Sequence, residues 1–77
     1  MSDDAIKTLT RMANQIAIAF RNEPPEKAAA DAAEHIRLYW TRKMRADLLA
    51  HAGAGGEGLE PLVRAAIESL RPHMGVR

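Results

Sequence analysis

His35-Ile36-Arg37-Leu38-Tyr39-Trp40-Thr41-Arg42-Lys43-Met44-Arg45 reads as the corner where one helix ends and another begins. Helix-compatible sequence enters on one side and leaves on the other. Thr41 sits at the joint, where its hydroxyl is placed to accept from a free N–H at the start of the second helix. The stretch holds the only Trp and the only Tyr of the chain, together with four basic residues and no acid. Arg42 and Lys43 fall in a first helical turn, which already carries partial positive charge, so each costs a few tenths of a kcal/mol there, on the order of ~0.3. A basic, aromatic-backed corner of this kind fits either a solvated surface or a docking site for an anionic partner.

Outward from the corner, apolar spacing predicts four helices. Upstream, Ala29, Ala33, Ile36 and Trp40 recur at four, three and four, which marks one face of a helix over residues 25–40. Pro25 suits the first helical position, and Glu26 lies just behind it. Leu38 and Tyr39 point away from that stripe, which leaves the end of the helix apolar on more than one side. Before it, Ile6, Leu9, Ala13, Ile16, Ala17 and Phe20 trace a first helix over 4–22. Ser2 or Asp3 serves as its cap, and Asn22-Glu23-Pro24-Pro25 as its stop. Met12 and Ile18 lie off the stripe, where they either widen the core face, the favoured reading, or face a partner.

Downstream, Met44, Leu48, Leu49 and Ala52 give a third helix over 42–52, with Gly53 as a residue able to end it at positive φ. A glycine-rich patch, Gly53-Ala54-Gly55-Gly56-Glu57-Gly58, is read as a flexible turn. Leu59, Leu62, Val63, Ala66, Ile67 and Leu70 then form the stripe of a fourth helix over 60–70, with Pro61 in its first turn and Pro72 as its stop. Nothing alternates at period two. The expected fold is all-α, a small four-helix domain with short connections over residues 1–77, frayed at 1–3 and 73–77. Its expected core is Ile16, Phe20, Ile36, Trp40, Leu48, Leu49, Leu62, Val63 and Ile67.

Size and composition narrow the function. The chain has 77 residues, and fifteen of its apolar ones are only alanine. A domain of this length buries about 60% of its unfolded surface and is marginal by itself. Cysteine is absent, so disulfides and thiolate metal sites are excluded. Oligomerisation or docking on a larger protein is the remaining supplement. The net charge of +1 gives no overall signature of nucleic-acid binding. No apolar run approaches the roughly 18 residues of a membrane span. The acidic Met-Ser-Asp-Asp start lacks the basic region of a signal peptide, which predicts a cytoplasmic protein.

Gly53, Gly55 and Gly58 spell G-x-G-x-x-G, but the dinucleotide motif requires a preceding strand. Here helical sequence precedes it, and Glu57 and Glu60 would repel a pyrophosphate. Asp31 and His35 share a helix face without a third metal ligand. Ser2 and Ser69 have no base nearby. The corner with Arg42, Lys43 and Arg45 resembles the entry of a DNA recognition helix, yet it lacks the Asn, Gln and Ser of a base reader. A small helix-turn-helix binder of nucleic acid and a free-standing helical homodimer are therefore the alternatives to a docking subunit.

Three stretches resemble the small delta subunit of cytoplasmic NAD-dependent formate dehydrogenases that carry molybdenum or tungsten. They are Met12-Ala13-Asn14-Gln15-Ile16-Ala17 with Phe20; His35-Ile36-Arg37 with Trp40, Met44-Arg45 and Leu48-Leu49-Ala50-His51; and Gly55-Gly56-Glu57-Gly58-Leu59-Glu60-Pro61-Leu62-Val63. That family usually reads Asp-Pro-Arg after the Trp, whereas this chain reads Thr41-Arg42-Lys43. The resemblance implies a non-catalytic accessory subunit that supports assembly or stability of the enzyme through contacts with its larger subunits. Those other subunits would hold the molybdenum cofactor, iron–sulfur clusters, flavin and NAD site. No catalytic, cofactor-binding or metal-binding residue is expected in this chain, and no nucleic-acid or membrane partner. A homo-oligomer is a further expectation for the isolated chain. The expected partner-binding residues are Arg37, Tyr39, Arg42, Lys43 and Arg45.

Overall fold

The structure, a computed structural model, describes residues 3–70. Four helices follow one another: α1 (Asp3–Phe20), α2 (Pro25–Tyr39), α3 (Arg42–Gly53) and α4 (Pro61–Leu70). No strand occurs among the described residues. The expected helices are all present, with ends that shift by one or two residues. The expected cap at Ser2 and the stop at Pro72 lie outside the described residues.

Each shifted boundary has a local cause. Helix α1 stops at Phe20 because the chain tightens into turns, with Arg21 N–H donating to the Ile18 carbonyl (3.4 Å) and Glu23 N–H to the Phe20 carbonyl (3.1 Å). Those turns deliver an extended Pro24 (φ −53°, ψ 143°) and then Pro25 as the first residue of α2. Helix α2 ends one residue early because Trp40 is extended, although its N–H still donates to the Ile36 carbonyl at 2.9 Å. Thr41 caps α3 as expected, its hydroxyl oxygen accepting from Met44 N–H at 3.1 Å. Gly53 does not end α3: it remains helical and Ala54 becomes the C-cap. Gly55 then takes positive φ (119°), with Gly55 N–H donating to the Ala52 carbonyl and Gly56 N–H to the His51 carbonyl. That paired closure satisfies two carbonyls that the helix end leaves free.

Helices α2 and α4 share the most extensive packing of the fold. Helix α2 contributes Ala28, Ala29, Ala32, Ala33 and Ile36, and α4 contributes Val63, Ala66, Ile67 and Leu70, all buried. Four alanines on one face leave a flat surface that lets the larger side chains of α4 approach the backbone closely. Helix α1 turns Leu9, Ala13 and Ala17 onto the same core, and Trp40, Leu48 and Leu59 complete it.

Of the expected core, Ile36, Trp40, Leu48, Val63 and Ile67 are buried, whereas Ile16, Phe20, Leu49 and Leu62 are only half-buried at its edge. On α1 the innermost line belongs to the small residues Ala13 and Ala17. Met12, Ile16 and Phe20 ride on one shoulder of the helix instead. The wide stripe expected of α1 is half right, since Met12 packs on the core margin but Ile18 is 53% exposed.

The alanine face makes a direct prediction. Ala32 is 1% exposed. Ala32→Leu should cost about 1–3 kcal/mol by overpacking. Ala30→Leu, on the exposed side of the same helix, should stay within about 0.5 kcal/mol of wild type. Urea unfolding of the two variants checks the contrast, and equal losses would show that the α2–α4 approach is not close.

Candidate docking surface

The corner between α2 and α3 is held by Arg45. Its Nη1 donates to the carbonyl oxygens of Arg37 (2.9 Å) and Trp40 (3.0 Å), two acceptors at the C-terminal end of α2 that no further helical turn can use. A cation is favoured there because a helix C-terminus carries partial negative charge. Arg45 is thus engaged within the chain and half-buried. Arg37 is engaged too. Its guanidinium donates from Nε to Glu34 Oε1 (3.1 Å) and from Nη2 to Oε2 (2.7 Å), and this pairing raises the Arg37 pKa above its ordinary value. Lys43 donates to Asp47 at 3.1 Å, one turn further along α3. Of the expected docking residues, Tyr39 (72% exposed) and Arg42 have no hydrogen bond or ion pair among the described residues.

The five residues also do not form one patch. Tyr39 borders a groove between α1 and the corner, while Arg37 borders a different depression shared with Ser69 and Leu70 of α4. The two are two residues apart on α2, and about 200° apart around it. Arg42 is likewise about 200° round α3 from Met44, which lines the groove.

That groove encloses about 450 Å³ and is built from apolar shoulders. Met12, Ile16 and Phe20 of α1 form one wall, and His35, Tyr39 and Met44 the other, with the buried Trp40 at its base. The small Ala13 and Ala17 draw α1 down onto the core, so its bulky neighbours stand up as a rim. His35 lies edge-on to Phe20 (ring centroids 6.4 Å apart) and tilts against Tyr39 (4.7 Å). It is therefore part of an aromatic row, not the partner of Asp31. Asp31 instead accepts from Lys27 at 2.8 Å. Hydrogen bonds from Lys27 and Glu23 hold the Asp31 carboxyl below its usual range, and the hydrogen bond toward Asp31 pushes the Glu23 carboxyl up.

The glycine-rich connection is the part that sequence reasoning treated too lightly. It is not a slack turn. Arg64 of α4 donates to three of its carbonyls, those of Gly55 (3.2 Å), Gly56 (2.7 Å) and Leu59 (3.3 Å). Gly56 is buried with φ 63°, and a Cβ there would meet the Arg64 guanidinium at 3.0 Å. Asn14 of α1 grips the far end, donating to the Gly58 carbonyl (2.9 Å) and accepting from Glu60 N–H (3.0 Å). His51 Nε2 stands 2.9 Å from the Glu57 carbonyl oxygen. The available signal was Asn14 itself, a weak helix former in the middle of a strong helix. The G-x-G-x-x-G spacing thus lies between α3 and α4, with its carbonyls already taken by side chains.

Among the described residues no group of three or more His, Cys, Asp or Glu converges as a metal site, and no helix is long and apolar enough to cross a membrane.

The corner carries its own stability test. Thr41→Ala removes the hydroxyl that accepts from Met44 N–H and should cost about 1 kcal/mol. Arg42→Glu replaces an unfavourable charge in the first turn and should add about 0.3–1 kcal/mol at low salt. Lys43 is better left intact, since reversing it would set two carboxylates beside each other at Asp47. Thermal melts at low and high salt separate the two effects, because only the second should fade as salt is raised.

Residues 8–67 match the family model described as the NADH-dependent formate dehydrogenase delta subunit. No curated protein and no solved structure matches the chain. The family match covers most of the sequence and includes α2, α3, the glycine-rich connection and nearly all the buried residues of α1 and α4. The chain belongs to the formate dehydrogenase delta-subunit family.

Proposed function

We propose that this delta-subunit family member is a non-catalytic accessory subunit of a formate dehydrogenase, which supports assembly or stability of the enzyme by docking on a larger subunit. The observation that carries this reading is the groove under Tyr39. It is a preformed apolar cleft walled by two methionines and three ring-bearing residues, in a domain too small to gain much stability from its own core. Methionine shoulders adapt to the shape of an incoming side chain. Tyrosine at the edge of such a cleft supplies contact area with little rotamer entropy to lose, which is why it recurs among interface hot spots.

In this reading Tyr39 and the groove make the principal contact. Arg42 extends it around the corner, where an anionic partner surface would offset the unfavourable first-turn charge. Arg37 and Lys43 lie at the margin and remain neutralised by Glu34 and Asp47. Arg45 shapes the corner from beneath. The NADH-linked chemistry of the family supports a cytoplasmic location.

The test is co-purification of a tagged chain with the larger subunits. Tyr39→Glu should weaken association by about 30-fold or more, the loss expected of a tyrosine hot spot worth about 2 kcal/mol. The isolated variant should melt within about 2 °C of wild type, because Tyr39 is outside the core. Undiminished recovery of partner subunits would return the groove to plain surface.

A further inference from the structure

We propose that the opposite flank of α1 is a second docking surface, shaped for an acidic segment of a partner polypeptide. The proposal rests on the accessory-subunit reading and adds a second face to it. Helix α1 has two shoulders. One carries Met12, Ile16 and Phe20, and the other faces the glycine-rich connection across an open groove of about 760 Å³. Gln15 lies between the two and borders both.

The second groove differs chemically from the first. Lys7 and Arg11 stand one helical turn apart along its wall, both exposed, and neither has an ion pair to a side chain of residues 4–70. The ion pairs among the described residues are local ones that engage only Lys27, Arg37 and Lys43. Two open cations on one turn, i and i+4, repel each other by a few tenths of a kcal/mol, on the order of ~0.3, which a carboxylate laid between them would relieve. Further along, Ile18 is one of only three large apolar side chains exposed among the described residues. The far wall is the pinned loop, where Asn14 and His51 hold the Gly58 and Glu57 carbonyls. The groove therefore has a fixed wall before any partner arrives, and little ordering is left to oppose binding.

These features select the occupant. The cations call for an anion, and Ile18 calls for an apolar neighbour about two turns beyond Arg11 and three beyond Lys7. The Glu57 carboxylate at the rim disfavours a ligand as densely charged as a nucleic-acid backbone. A polypeptide segment with Asp or Glu residues set beside an aliphatic one satisfies all three. With both shoulders engaged, α1 would lie between two partner segments and act as a bridge.

The experiment uses the assembled enzyme with the full-length chain. Treatment with a carbodiimide, which joins an ammonium only to a carboxylate in direct contact, should link Lys7 to an Asp or Glu of a larger subunit. The charge reversal Lys7→Glu with Arg11→Glu should lower recovery of that subunit about tenfold at low salt and flatten its dependence on salt. The milder pair Lys7→Gln with Arg11→Gln should move both readouts in the same direction, and it serves if the reversed chain does not fold. Recovery equal to wild type from folded variants would overturn the proposal while leaving the first groove standing. So would Lys7 linked only within its own chain. Salt-sensitive capture of a labelled oligonucleotide, lost in the Lys7→Gln, Arg11→Gln chain, would replace the acidic polypeptide by a nucleic acid. A wild-type chain that recovers no larger subunit would overturn the accessory-subunit reading itself.

Discussion

The close approach of α2 to α4 is the constraint on which the rest of the structure depends. Ala28, Ala29, Ala32 and Ala33 present almost no side chain, and Val63, Ala66, Ile67 and Leu70 are buried on the helix that packs most extensively with α2. Dispersion contacts at that range are individually small and numerous, and they tolerate no added volume. A chain of this length has few large apolar residues to spend. It builds one dense seam rather than a thick core, and α1 and α3 are laid over that seam.

Economy inside explains the surface outside. Because α1 meets the seam through Leu9, Ala13 and Ala17, its larger neighbours are lifted to the rim and grooves form on both flanks. The polar residues then divide into two groups. Arg45, Arg64 and Asn14 serve the chain's own carbonyls at the two places where helices end and a connection begins. Tyr39, Arg42, Lys7 and Arg11 have no such duty. For the proposed docking role this division is informative, since a charged side chain already holding a corner together has little left to offer a partner without opening the corner.

The loop between α3 and α4 illustrates how composition misleads. Glycine at 53, 55, 56 and 58 reads as slack. In the fold, Gly56 leaves room for the Arg64 guanidinium at a positive φ, while Asn14 and His51 reach the neighbouring Gly58 and Glu57 carbonyls. The resulting connection is cross-linked by hydrogen bonds to three helices, and its shape is one wall of a groove.

The sequence by itself determined the four helices, because periodicity, proline and capping chemistry act within a few residues. Pro25 and Pro61 start helices where their missing N–H costs nothing, and Thr41 caps the helix that follows it. It also determined that Trp40 falls on the Ala29–Ala33–Ile36 stripe and Tyr39 off it, since a residue placed by the last helical turn still follows the roughly 100° step of the helix. The pairing of Arg37 with Glu34 and of Lys43 with Asp47 is also local, at i, i+3 and i, i+4 of one helix. Only the tertiary structure decided the role of Arg45, because the turn between α2 and α3 brings the Arg37 and Trp40 carbonyls within about 3 Å of it, the range over which a hydrogen bond forms. The same holds for Asn14 and the loop it grips 44 and 46 residues away. Contacts over such separations arise from helix packing, and no local pattern in the chain encodes them.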